Sequence, residues 1–303
     1  MLLPRDGFIF GNASPVIGKY DEDITINRET HSSANNKSYA TRGGDGLSSW
    51  NLGHKDTSLS GSEYRTRVYT QYATRFQDAK EVFDQAASRR WGKAYDYYLR
   101  DWLPVDKEAT ILDIACGGGK LLHFLQERGY QCLKGVDISP EQVRLARQVI
   151  PEVKESDVLD FLVEHRDCFD VILGLDIIEH FQKDEALRFL DGCCSALKPN
   201  GRLILQTPNG CSPLGGAIRC GDFTHEVCFT PDSITRLMQL CGFRNIEVRE
   251  QGPIPWGYSA KSTARYAVWQ GIRLGLMLWN VVETGNTGSE VFSRVFLASG
   301  WKA

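Results

Sequence analysis

Between residues 110 and 250, short apolar runs alternate with amphipathic stretches. The period switches repeatedly from two to three or four residues, which predicts strands alternating with helices. The runs predict strands at 111–115, 132–137, near Val153, 169–175, 202–206 and 243–249. Amphipathic stretches predict helices at 120–128, 140–149, 158–164, 184–197 and 232–240. Local signals bound several of them. Ser139 is a natural N-cap before Pro140 at the first helical position, and Thr230-Pro231 repeats that arrangement. Gly242 ends the helix at 232–240, and Lys198-Pro199-Asn200-Gly201 predicts a turn. Strand–helix alternation of this kind implies an α/β fold, with a mostly parallel sheet covered on both faces.

The flanks differ from this centre. Residues 1–63 mix Gly, Ser, Asn, Asp and Thr without a persistent period and predict an irregular N-terminal arm. Residues 64–109 form a helical entry or cap segment, where Phe76, Phe83, Trp91, Tyr95, Tyr98 and Leu99 recur on one helical face. The main domain then runs over 110–303, with a helical insertion at 252–289. Within the insertion, 264–282 is an apolar helix carrying Arg265, Gln270 and Arg273. It reads as a packing or oligomer helix, or as a peripheral membrane contact, and the oligomeric state stays open. A last strand is expected at 291–298.

Composition narrows the partners. The 303 residues carry 35 Lys and Arg against 38 Asp and Glu, a formal net charge of −3. No global basic field exists to hold a nucleic-acid backbone, so no nucleic-acid partner is expected. Nine cysteines, with no C-x-x-C pair, lie mostly in apolar stretches and read as free thiols of a reduced chain. The first nineteen residues lack a basic region followed by an apolar run. No stretch reaches the roughly 18–20 apolar residues of a membrane span. A cytoplasmic protein is the expectation.

The segment from Ile111 to Lys120 carries the most chemistry. An apolar strand runs through Asp113, Ala115 and Cys116 into Gly117-Gly118-Gly119, and a helix follows at once. Glycines there let the backbone approach a ligand closely. Leu122 stands where a dinucleotide fingerprint would have its third glycine, and no P-loop lysine is present. Asp113 in the turn would repel a pyrophosphate but suits a protonated amine. Asp137, about twenty residues past the glycines, ends the next strand where an acid accepts hydrogen bonds from ribose hydroxyls. Ser156-Asp157-Val158 follows the third strand and is placed to reach an adenine edge.

An amino-acid end, a ribose and an adenine without phosphates describe S-adenosylmethionine, and the chain here resembles the class I S-adenosylmethionine-dependent methyltransferases. The resemblance covers about residues 105–250. It implies a Rossmann-like fold, with a seven-stranded, mostly parallel sheet and an antiparallel last strand. It also implies a cofactor site at Asp113, Ala115, Gly117, Gly119, Asp137, Ile138, Asp157, Val158 and Leu175. Ala115 departs from the family's glycine and predicts a tighter loop. By the same resemblance, Arg75 would meet the cofactor carboxylate, while Tyr72, Phe76, Tyr95 and Tyr98 would cap the cofactor or line the acceptor pocket.

Transfer to a hydroxyl needs a base with a pKa near neutrality, for which histidine is the natural candidate. His31 and His54 fall in the arm, and His123 and His165 on ordinary helices. His180 and His225 follow strand ends, on the side where open α/β sheets bind ligands. Asp176-Ile177-Ile178-Glu179-His180, read at helical spacing, would share one face toward the cleft. This run resembles that of ubiquinone-pathway O-methyltransferases, which implies Asp176, Glu179 and His180 as ligands of a divalent cation. Asp222-Phe223-Thr224-His225-Glu226 with Phe229-Thr230-Pro231 resembles a bacterial group tied to glycan pathways.

The expectation is an O-methyltransferase acting on a sugar, glycan or sugar-containing metabolite, with His225 as base and His180 in reserve. Alternatives are a phenolic or quinone-like acceptor, N-methylation, and a non-catalytic cofactor-binding scaffold of an envelope complex.

Overall fold

Asp84 starts the helix at 85–98 by accepting a hydrogen bond from the Ala87 amide at 2.9 Å. The computed structural model describes residues 65, 68 and 82–303, all within one compact unit. The arm at 1–63, with His31 and His54, lies outside the described residues, as do Tyr72, Arg75 and Phe76.

The first half runs α1 (Gln85–Tyr98), β1 (Ile111–Ile114), α2 (Lys120–Gln126), β2 (Leu133–Asp137), α3 (Pro140–Ala146), β3 (Val153–Glu155) and α4 (Val158–Val163). Then come β4 (Phe169–Leu175), a 3-10 turn (Ile178–His180), α5 (Lys183–Ala196), β5 (Leu197–Pro208) and α6 (Gly216–Arg219). The chain closes with α7 (Pro231–Leu240), β6 (Phe243–Glu250), α8 (Ala260–Thr284) and β7 (Val295–Lys302).

The strands form one seven-stranded sheet in the order β3-β2-β1-β4-β5-β7-β6. Pairs β1–β2, β1–β4, β2–β3 and β4–β5 are parallel, while β7 is antiparallel to β5 and β6. All four residues of β1 are buried. A strand covered on both faces reads as a continuous apolar run, broken here only by Asp113. One apolar cluster joins Trp91 and Tyr95 of α1, Leu122 of α2 and Val143 of α3 on one face. The other holds Phe161 of α4, Phe189 and Leu190 of α5, and Met238 of α7. Strand order reverses between β1 and β4, which opens a crevice at their carboxyl ends.

Several boundaries differ from the sequence-based expectation. The turn at 198–201 is absorbed into β5, with Asn200 at φ 58° marking the bend. The last strand begins at Val295 because the chain before it is bonded to side chains instead. Phe292 N and Ser293 N donate to Glu250 Oε1, and Asn209 Nδ2 donates to the carbonyls of Val291 and Ser293. α8 is longer than the pattern predicts, because Ser259 caps its start and Gly285, at φ 83°, its end. Ser139 occupies the N-cap position of α3, but its side chain makes no capping bond.

Candidate active site

After β1 the backbone enters the left-handed region three times, at Ala115 (φ 53°), Gly117 (51°) and Gly119 (84°). For Ala115 this costs roughly 1–2 kcal/mol, because its Cβ crowds the following carbonyl. At Gly119 the requirement is also steric, since an added Cβ would lie 3.0 Å from Ala146 Cα in α3. Gly135 of β2 makes room for Leu122, whose Cδ1 would be 2.9 Å from a Cβ there. The close helix–strand packing that dinucleotide folds obtain from a third glycine is reached here from the strand side.

Asp137 ends β2 beside this turn. Its Oδ2 accepts from Gly117 N and its Oδ1 from Ser139 N, each at 2.8 Å. Burial still pushes its pKa up, against those bonds. Asp113 is 2% exposed and its Oδ2 has no partner. Burial, reinforced by the charge of Asp137, holds its pKa well above the carboxylate range. Ser139 Oγ is likewise buried without a partner. An unpartnered carboxylate oxygen and a hydroxyl beside a left-handed turn match the donor and acceptor needs of a nucleoside with an aminated end. Ile138 leaves 47% of its surface exposed at the strand end, an apolar face suited to a base. Val158 and Leu175 are buried at 9% and 8%. Asp157 spends one oxygen as the cap of α4, accepting from Leu159 N at 2.7 Å.

The second group of residues follows β4. Asp176 is left-handed (φ 57°) and the chain then makes a single 3-10 turn, so 176–180 does not form the α-helical face expected from its spacing. Both Asp176 oxygens accept from Gln206 Nε2, at 2.9 and 2.8 Å. Gln206 Oε1 in turn accepts from Tyr95 Oη at 2.7 Å and from Gln251 Nε2 at 2.7 Å. Tyr95 is therefore a buried member of a polar network at the end of β5, and Tyr98 donates its hydroxyl to the Gly252 carbonyl at 2.6 Å.

Glu179, His180 and His225 converge, with one ligand atom of each lying within 4.8 Å of the others. Asp176, expected as a third cation ligand, is not in that cluster; His225 stands in its place. Two imidazoles and a carboxylate are a donor set that suits a divalent transition metal. Glu179 Oε2 accepts from Thr207 Oγ1 at 3.0 Å, while the buried Oε1 has no partner. Burial and the nearby Asp176 push the Glu179 pKa well up.

The hydrogen bonds assign the imidazole protons. Thr224 Oγ1 donates to Asp222 Oδ1 at 2.6 Å, so it accepts from His180 Nδ1 at 2.8 Å. His225 Nδ1 lies 3.3 Å from the Arg219 carbonyl, which can only accept. Both rings thus keep their lone pair on Nε2, and their centroids are 4.9 Å apart. Burial, then the neighbouring His225, pulls His180 down to about 4. Burial also lowers His225, against the pull of Asp222. For Asp222, the bonds from Thr224 and the two imidazoles outweigh burial and hold its pKa below the usual value.

Arg65 carries no sequence signal of its own, yet it grips this turn from outside. Its guanidinium pairs with both oxygens of Glu185 at 2.7 and 2.8 Å and donates to the His180 carbonyl at 2.9 Å. Its partners are 115–120 residues away, so no local pattern could reveal it. Gln206 left a trace, as a polar residue closing an apolar run. Thr224 sat unremarked inside the motif that names His225.

Residues 83–248, more than half of the chain, match the family described as a methyltransferase domain. Among curated relatives, the ubiquinone biosynthesis O-methyltransferase of Xanthomonas axonopodis pv. citri is 33% identical over 107 residues. That alignment covers 33% of this chain and 44% of the relative, so the chain spans less than half of that protein's length. The protein of the same name from Xylella fastidiosa (strain M23) is 26% identical over 174 residues, 52% of this chain and 70% of the relative. A solved SAM-dependent methyltransferase from Archaeoglobus fulgidus superposes with a TM-score of 0.52 at 17% identity, covering 80% of this chain and all of its own. One from Mesorhizobium loti gives 0.50 at 19% identity over 69% of this chain and 98% of its own. These two structures share the fold.

Proposed function

The chain belongs to the methyltransferase-domain family, and from that premise we propose that it transfers a methyl group from S-adenosylmethionine to a hydroxyl oxygen of a sugar-containing acceptor. The observation that carries the O-transfer is the convergence of two imidazoles, His180 and His225, with Glu179, one ligand atom of each lying within 4.8 Å of the others.

Bound S-adenosylmethionine supplies a methyl group already activated on a sulfonium. The residues suited to hold it belong to the strands and helix near the left-handed turn: Asp113 toward the amine, Asp137 toward the ribose, and Ile138 with Val158 and Leu175 toward the base. Asp113 would gain in the amine the partner its Oδ2 lacks. His225, half-buried at the rim, takes the proton of the acceptor hydroxyl on Nε2. Asp222 lies close enough to favour the imidazolium that forms. His180 is held too far down to share that proton at neutral pH. Its work is to lock Thr224 and Asp222 behind His225. Phe223, 82% exposed beside His225, offers an aromatic face on which the C–H surface of a sugar ring can rest.

A phenolic or quinone-like acceptor is the second reading, favoured by the names of the curated relatives. Under it, Glu179, His180 and His225 would hold a divalent cation that acidifies the phenol.

The test is incubation with isotopically labelled methyl donor and a panel of sugar nucleotides, oligosaccharides and catechols, with and without chelator. Label in an alkali-stable sugar ether, unaffected by chelator, supports the first reading. Label confined to catechols and lost with chelator supports the second. Label only in amines overturns O-transfer. His225→Ala should cut turnover by about 10²–10⁴-fold while cofactor affinity stays near wild type. Undiminished turnover would remove His225 from the chemistry.

A further inference from the structure

α8 carries apolar side chains on both of its sides. Its half-buried side sets Tyr266, Trp269, Leu276 and Met277 beside polar groups: the Arg273 guanidinium pairs with Glu250 at 3.1 Å, and Asn280 Nδ2 donates to the Thr287 carbonyl. Its outward side carries Val268, Leu274, Leu278 and Val282, exposed by 66%, 65%, 63% and 81%. An apolar face of this kind on a helix about 37 Å long is ordinarily covered. Among the described residues, no helix is long and apolar enough to cross a membrane.

Two features of that face point to one occupant. Gly271 and Gly275 sit near its middle, one turn apart, and a Cβ on either would meet no described atom within 4 Å. Glycine is among the least favourable residues in a helix interior, and nothing among the described residues uses the space these two leave. A lipid surface has no use for that space either, whereas a second helix crossing closely does. The charges are also arranged end to end. Lys261 and Arg265 lie in the first turns, Glu283 lies in the last, and no acid occurs between Ala260 and Val282. The midpoint of Lys261 and Glu283 is residue 272, beside the glycines.

We propose that α8 is a homodimer interface, packing antiparallel against α8 of a second copy, with the two-fold axis near Ile272 and the glycines at the crossing. The antiparallel arrangement sets Lys261 of each copy beside Glu283 of the other, and it opposes the helix dipoles. A helix pair of this length, with exposed Trp256 and Trp279 available at its margins, offers an area in the range of a stable interface, about 800 Å² per partner. Because α8 joins β6 to β7, the interface lies at the carboxyl end of the sheet, where the candidate active site is.

The experiment is light scattering after size exclusion on the full chain, followed by sedimentation across a concentration series. Wild type should run at twice the 34.0 kDa of the monomer. Gly271→Leu improves helix propensity, so it should keep the fold by circular dichroism yet run as a monomer. Lys261→Glu should raise the dimer dissociation constant about tenfold, and adding Glu283→Lys should restore it, since each reversal acts twice in a symmetric pair. A wild-type monomer at all concentrations overturns the proposal. So does a dimer indifferent to Gly271→Leu. A monomer that floats with phosphatidylglycerol vesicles identifies lipid as the occupant, and a monomer whose α8 cross-links to residues 1–64 of its own chain identifies the arm. Either result overturns the dimer.

Discussion

His180 ties the site's chemistry to stability in a way that can be measured. Burial and the neighbouring His225 depress its pKa from 6.5 to about 4 in the folded chain. Between those values the unfolded chain binds the proton and the folded chain refuses it, so stability rises with pH across that window. The loss on acidification begins near pH 6.5 and is complete below about pH 4. The full difference is worth at most about 3 kcal/mol, and about 2 kcal/mol is lost by pH 5. Asp176 works in the opposite sense. Burial raises its pKa to about 6, so the folded chain takes up that proton first and gains relative stability as pH falls. The two effects partly cancel in wild type, and the total pH profile is therefore uninformative. The difference between wild type and His180→Gln isolates the imidazole, because the amide keeps a donor for Thr224 but cannot titrate. Urea denaturation of both proteins at pH 7.5 and pH 5 should show wild type losing about 2 kcal/mol more than the variant. Equal losses, or an imidazole resonance of His180 titrating near 6.5, would refute the assignment of a half-buried neutral ring.

Three further outcomes follow from the geometry. Ala115→Gly removes a left-handed alanine but adds chain entropy to the unfolded state, so the net gain should be about 0.5–1 kcal/mol, read as a melting temperature about 2 °C higher. Arg65→Ala breaks a partly buried bidentate pair with Glu185 and should cost about 2 kcal/mol in urea denaturation. It should also slow turnover more than it weakens cofactor binding, since Arg65 holds the His180 carbonyl and not the glycine turn. Asp137→Ala should abolish S-adenosylmethionine binding by calorimetry; unchanged affinity would mean the ribose end lies elsewhere.

Acid should also quench the reaction through His225. Its pKa is lowered from 6.5 by burial, so the ring is neutral at pH 7 and protonates only below that value. The acidic limb of kcat/KM should therefore fall below pH 6.5, with no loss between pH 7 and 8 from this group.

What the sequence by itself determined is the part governed by local rules. The alternating runs specify strands and helices because burial on one or both faces imposes a period on the chain. The glycine turn, Asp113 and Asp137 were legible because they lie within one strand–turn–helix–strand unit, where spacing in sequence is spacing in space. Only the tertiary structure decided which polar groups meet. The run Asp176–His180 has helical spacing, but the backbone turns left-handed at Asp176 and gives its carboxylate to Gln206, thirty residues on. His225 enters the cluster in its place because the loop before α7 folds back onto the 3-10 turn, donating Glu226 N to the Glu179 carbonyl at 2.8 Å. Arg65 reaches Glu185 across 120 residues. Such contacts are set by where the sheet ends and the helices pack, and no period along the chain encodes them. α8 divides along the same line. Its apolar length was plain in the sequence, whereas the inward turn of its polar groups required the fold, because Glu250 and Thr287 lie at the positions that receive them.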